Sequence, residues 1–157
     1  MKIELLVVGK TQISFVKTGE QEYFNRLKHY VPFVYKVLPD VRKAKNLSHE
    51  ELKKKEGEAI LDAFQPTDFV VLLDEGGKEM SSVAFSAFID KKIIHGTRRM
   101  VFVVGGAYGF SEAVYKRSQA CISLSKMTFS HQMVRMIFLE QLYRAFTIIR
   151  GEPYHHE

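Results

Sequence analysis

The segment DFVVLLDEGGK, residues 68–78, decides the fold. Its residues 69–73 are apolar without interruption, stand between two aspartates, and run on into a glycine pair. A strand with one wet face alternates apolar and polar residues. A strand apolar throughout is covered on both faces, as in a parallel sheet flanked by helices. Similar runs recur on either side of it. Upstream, IELLVV (residues 3–8) ends in Gly9, and FVYKVL (33–38) runs into Pro39 and Asp40. Downstream, MVFVV (100–104) is followed at once by Gly105 and Gly106, and a short fifth strand fits residues 121–124.

Helical patterns fill the gaps. Tyr23, Phe24 and Leu27 have helical spacing within residues 20–30. Ser48 with Glu51 forms a capping box opening a helix that runs to about Phe64. Residues 81–94 place Phe85, Phe88 and Ile89 inward, and Ser111 opens a short helix to residue 119. Ser130 caps a long last helix ending near Arg150 and Gly151. Its apolar stripe is Val134, Phe138, Leu142, Ala145 and Ile149. The expectation is a single α/β domain over residues 1–157, with a mostly parallel sheet and helices on both faces.

A chain of 157 residues buries roughly 70% of its unfolded surface and needs no staples. The lone Cys121, read as a buried small hydrophobe, allows no disulfide framework and fits a reducing compartment. No apolar stretch reaches membrane-spanning length, and the start MKIELLVVGK reads as a strand rather than a signal peptide. The chain is therefore expected in the cytoplasm with no membrane partner. A formal net charge of +5 favours a polyanionic partner, nucleic acid first.

In open α/β sheets ligands bind beyond the carboxyl ends of the strands. Three loops qualify: residues 73–78, residues 105–109 (GGAYG), and residues 124–129 (LSKMTF). The glycines of the second are spaced G-G-x-x-G, with no acidic residue about 20 positions on, so the loop is no dinucleotide fingerprint. No P-loop and no G-x-S-x-G elbow occurs. The histidines lack zinc-site spacing, and no metal is expected. Glu140 and Arg144 stand at i, i+4, either as a plain helix salt bridge or as an arginine oriented toward a phosphate or base. The end of the chain gathers Tyr154, His155, His156 and Glu157 after Gly151 and Pro153, a concentration of functional groups unusual for a terminus.

Taken together, LLDEGGK (72–78), FVVGGAYG (102–109), LSKMTFSHQMVR (124–135), EQLYRAF (140–146) and RGEPYHHE (150–157) resemble the ribosomal large subunit pseudouridine methyltransferase H family, a minimal SPOUT-type methyltransferase. The resemblance spans the whole chain. It implies a C-terminal trefoil knot, a homodimer, and methyl transfer from S-adenosylmethionine to N3 of a pseudouridine in helix 69 of 23S rRNA on assembled ribosomes. It further implies a cofactor site of Leu73, Gly105, Leu124, Ser125, Lys126, Met127, Thr128 and Phe129. On the substrate side it implies Arg144, Tyr154 and His155, with His156 secondary. Glu75 and Gly76 depart from the more usual pair in the first loop. Two alternatives stand beside this reading: a non-enzymatic ribosome-binding module, and a SPOUT-type enzyme acting on tRNA.

Overall fold

The structure, a computed structural model, describes residues 1–156. Five strands form one sheet: β1 (Lys2–Val8), β2 (Phe33–Leu38), β3 (Phe69–Glu79), β4 (Arg99–Val104) and β5 (Ala120–Ser123). Their order is β2-β1-β4-β3-β5, with every pairing parallel. The helices are α1 (Ser14–Leu27), α2 (His49–Asp62), α3 (Ser82–Ile94), α4 (Glu112–Arg117) and α5 (Met133–Ile149). The expected α/β class and parallel sheet are thus observed.

The uninterrupted apolar runs serve two cores because successive side chains leave opposite faces of a strand. Ile3, Leu5, Val7, Val71, Leu73, Met100, Phe102 and Val104 pack with Leu27, Phe85, Ile89, Phe138 and Leu142 of α1, α3 and α5. Leu6, Val8, Val70, Leu72, Val101 and Val103 pack with Ile60 of α2 and Val114 of α4. Phe102, fully buried, lies 4.7 Å from Phe138 and 6.0 Å from Phe85 between ring centroids. At the amino ends of the strands Arg99 joins Glu4 (2.9 Å) and Asp68 (3.1 Å). Ligand-accessible loops are left to the opposite edge.

Three departures from the sequence expectations have physical causes. Helix α1 starts at Ser14 rather than residue 20, and no side chain of its own caps it. Its leading amides, Gln12 and Ile13, donate instead to the Gln132 side chain at 2.9 and 3.1 Å, across about 120 residues of sequence. Strand β3 outruns Asp74. Leu73 and Lys78 both take Ile122 of β5 as partner, and the residues between them are looped out. An ideal Cβ on Gly77 would stand 2.6 Å from the backbone N and C of Ile122, so glycine alone permits the passage. Ser130 supplies its expected cap a turn early: its hydroxyl accepts from Met133 N and its carbonyl from Val134 N, each at 3.1 Å. The capping box at Ser48 and Glu51 is present as expected.

Helix α5 is anchored by a residue whose burial the sequence did not signal. Arg135 is 1% exposed. It donates to the carbonyls of Val8 (2.7 Å), Gly9 (2.8 Å) and His131 (3.1 Å), and to the Thr11 hydroxyl (3.2 Å). Thr11 donates in turn to Glu20, which also accepts from Tyr35. Burial first of all pushes the Tyr35 phenol up to about 12. A buried guanidinium is tolerable because its donors are satisfied and a carboxylate lies one hydroxyl away.

Candidate active site

Because β4, β3 and β5 are neighbours in the sheet, the loops at their carboxyl ends are neighbours too. They enclose a cavity of about 740 Å³. Leu73, Gly105, Leu124, Ser125, Met127, Thr128 and Phe129 line it; Lys126 is exposed and lies outside the lining. The third loop is held by its own hydroxyls. Ser123 donates to the carbonyl of Ser125 (2.8 Å), and the Ser125 hydroxyl accepts from Met127 N (2.9 Å). Thr128 ties it to the first loop through Glu75 (2.8 Å). Asp74 steadies that first loop, accepting from Gly76 N (2.9 Å) and the Tyr115 hydroxyl (2.8 Å). Cys121, half-buried rather than buried, packs below this corner, and burial followed by Asp74 raises its thiol.

Helix α2 grips the second loop at two points that the sequence analysis did not assign. Glu56 accepts the Gly106 amide, and an ideal Cβ on Gly106 would come within 2.5 Å of its Oε2. Burial, then Asp40, raises the Glu56 carboxyl above its ordinary value. His49 stacks on Tyr108 with ring centroids 3.8 Å apart. Tyr108 and Lys53 both line the cavity, as do His131 and Val134 at the start of α5. No local motif marks Lys53 or Glu56; only the packing of α2 over a strand-end loop does.

The expected substrate residues form a second group. Gly151, at φ 67, closes α5 with its amide on Ile148 O (3.0 Å) while Glu152 N reaches Thr147 O (2.9 Å). This is a Schellman termination, for which glycine is suited. Glu152 accepts from the Tyr30 hydroxyl (2.5 Å), and Arg150 lies over the Tyr30 ring. The tail is thereby turned back along α5. Tyr154 packs edge-on against Tyr143 at 4.8 Å, and the Arg144 guanidinium sits 4.7 Å over the Tyr154 ring. Arg144 Nη1 and His155 Nδ1 are 3.3 Å apart. Burial, with Tyr23 and Glu140 adding to it, raises the Tyr154 phenol. Glu157 lies outside the described residues.

The two groups are separate on one chain. Val134 lines the cavity, and Arg144 is ten residues further along α5, roughly 15 Å by helix rise. Arg144, Tyr154 and His155 are not part of the cavity lining. Among the described residues no group of His, Cys, Asp and Glu could hold a metal ion, and no helix is long and apolar enough to cross a membrane.

Comparison with known proteins bears on this arrangement. Residues 1–155 match the family described as Predicted SPOUT methyltransferase. The chain is 59% identical over 157 residues to a protein of Parabacteroides distasonis, covering all of both chains. It is 57% identical to a Porphyromonas gingivalis protein, again over all of both, and 55% identical to one from Christiangramia forsetii over 99% of each. All three bear the name Ribosomal RNA large subunit methyltransferase H.

Proposed function

The chain belongs to the Predicted SPOUT methyltransferase family, and on that premise we propose that it methylates large-subunit ribosomal RNA, moving a methyl group from S-adenosylmethionine to N3 of a pseudouridine in helix 69 of 23S rRNA on assembled ribosomes. The observation that carries the reading is the convergence of three strand-end loops on one cavity lined by all but Lys126 of the residues expected to hold the cofactor. Its volume suits a ligand of that size. Leu73, Leu124 and Met127 offer apolar faces to an adenine ring, while loop amides and carbonyls offer hydrogen bonds to its edge. Gly105 lets backbone come close to the ligand.

Bound S-adenosylmethionine supplies an electrophilic methyl on a cationic sulfur. The protein's task is then in-line placement of acceptor and donor rather than covalent catalysis. As the N3–C bond forms, the methyl–sulfur bond would break with its electron pair going to sulfur, and the N3 proton must leave. His155 takes or relays that proton. Tyr154 stacks on or hydrogen-bonds the base, and Arg144 meets a phosphate or an imide oxygen where negative charge develops.

The separation of Arg144, Tyr154 and His155 from the cavity supports a homodimer in which one protomer's tail completes the cavity of its partner. Exposed apolar side chains, Met127 of the cavity lining at 76% and Phe15 on the first turn of α1 at 61%, are available to such an interface. The C-terminal trefoil knot belongs to the same proposal, supported by membership of the family. So does a cytoplasmic location, where assembled ribosomes are found.

The test is label incorporation from S-adenosylmethionine into ribosomes lacking the modification, with free rRNA and tRNA alongside. Label confined to assembled ribosomes and mapped to a helix-69 pseudouridine is expected. Label in tRNA instead would redirect the substrate. No label from folded protein would leave a ribosome-binding module.

A further inference from the structure

Glu140, not among the residues assigned to the tail cluster, binds two of them. Its Oε1 accepts from Arg144 Nη2 (2.5 Å) and Nε (3.1 Å) and from the Tyr154 hydroxyl (3.1 Å). Its Oε2 accepts from Gln141 Nε2 (2.8 Å), and Gln141 Oε1 accepts from Ser82 Oγ (2.7 Å) at the head of α3. The side chain is 19% exposed, against 24% for Arg144. An exposed pair at this spacing contributes little. This one is largely shielded, and a single carboxylate oxygen joins a helix residue to the tail.

We infer that Glu140 is a positioning residue for methyl transfer, an inference that rests on the function proposed above. The guanidinium is a rigid fork, so whichever edge is held fixes the edge that remains. Glu140 occupies the Nε–Nη2 edge of Arg144 and directs Nη1 toward His155, 3.3 Å from Nδ1. The same oxygen fixes the Tyr154 hydroxyl, so the arginine and the tail are registered against one another. The chain through Gln141 to Ser82 ties that registration to α3. Without Glu140 the long Arg144 side chain and the tail lose their common anchor, and the acceptor base loses its alignment.

The experiment compares Glu140→Ala, Glu140→Gln, Tyr154→Phe and the Glu140→Ala/Tyr154→Phe double variant, all as full-length protein. Single-turnover methyl transfer to ribosomes, S-adenosylmethionine affinity, melting temperature and amide exchange over residues 150–156 are measured. Glu140→Ala is expected to slow transfer roughly 100-fold, the scale set by misplacement of a reacting group. Cofactor affinity should hold, the protein should stay folded at the assay temperature, and exchange in the tail should rise. Glu140→Gln, which keeps an accepting oxygen, should recover much of the rate. The double variant should be no slower than Glu140→Ala alone. Additive losses, an unchanged rate, or a rate loss that follows melting temperature without rescue by Gln would overturn the inference. If the unsubstituted protein transfers no methyl group, the earlier reading fails. The exchange arm then decides this inference by itself: tail protection unchanged in Glu140→Ala overturns it.

Discussion

Arg135 and Gly9, 126 positions apart in sequence, are joined by a 2.8 Å hydrogen bond from a buried guanidinium to a backbone carbonyl at the end of β1. The bond fastens the start of α5, and with it the loop that leads out of the cavity, to the centre of the sheet.

Arg135→Met keeps much of the volume and removes the donors. The carbonyls of Val8 and Gly9 then lose their guanidinium partner, each orphaned group costing about 1–3 kcal/mol. A loss of roughly 3 kcal/mol or more in urea unfolding is expected. A loss below about 1 kcal/mol would show that the interaction is dispensable.

Neighbouring glycines in the first loop should differ sharply. A Cβ at Gly76 meets only the movable Asp74 carboxylate, at 3.1 Å, whereas one at Gly77 meets the β5 backbone at 2.6 Å. Gly76→Ala should fold with near-normal melting. Gly77→Ala should be severely destabilised or fail to accumulate as folded protein. Equal behaviour of the two would mean that the chain does not pass so close to β5.

Glu56 has a folded-state carboxyl raised above its ordinary value, chiefly by burial. The folded protein therefore binds more proton than the unfolded chain between the ordinary and the raised value. Stability falls as pH rises through that window. Glu56→Gln removes this penalty, and its amide oxygen can still accept from Gly106. Its melting temperature should exceed that of the unsubstituted protein at pH 7, with the gap closing below about pH 4. A gap independent of pH would assign the effect to packing.

Complementation tests the shared site. Protein carrying Arg144→Ala and protein carrying Gly105→Val should each be inactive alone. Co-folded in equal amounts, they should yield about a quarter of normal activity, since half the dimers are mixed and each keeps one intact site. Activity absent from the mixture would place both groups of residues on one chain.

Ribosome affinity should fall steeply between 50 and 200 mM salt, as phosphate contacts release counterions. Arg144→Ala should flatten that dependence only if it meets a phosphate. An unchanged slope would leave it the imide oxygen.

Most of the architecture was legible because it is local or periodic. Two-sided apolar runs announced a parallel sheet, and Ser48 with Glu51 announced α2. The cavity was legible because strand-end loops are where such sheets hold ligands, and all of its expected residues but Lys126 line it. What escaped was set by partners distant in sequence. The start of α1 depends on Gln132, the buried Arg135 on carbonyls of β1, and the extension of β3 on the absence of a side chain at Gly77. The distance between the cavity and the Arg144 cluster was hidden for the same reason. Residue types can suggest a shared chemistry without saying that one chain keeps its parts together.

The cap that Gln132 places on α1 also orders events during synthesis. While the ribosome is still making residues 1–131, the amides of Gln12 and Ile13 and the carbonyls of Val8 and Gly9 have no partner from α5. Strand β4, which enters between β1 and β3, is itself not complete until residue 104. The nascent chain must therefore carry an incomplete sheet until β5 emerges, and an uncapped first helix until its last sixth does. Such long-range closure is slow and leaves strand edges open to wrong pairing. An enzyme whose proposed substrate is the ribosome would in this way settle into shape only as it leaves one.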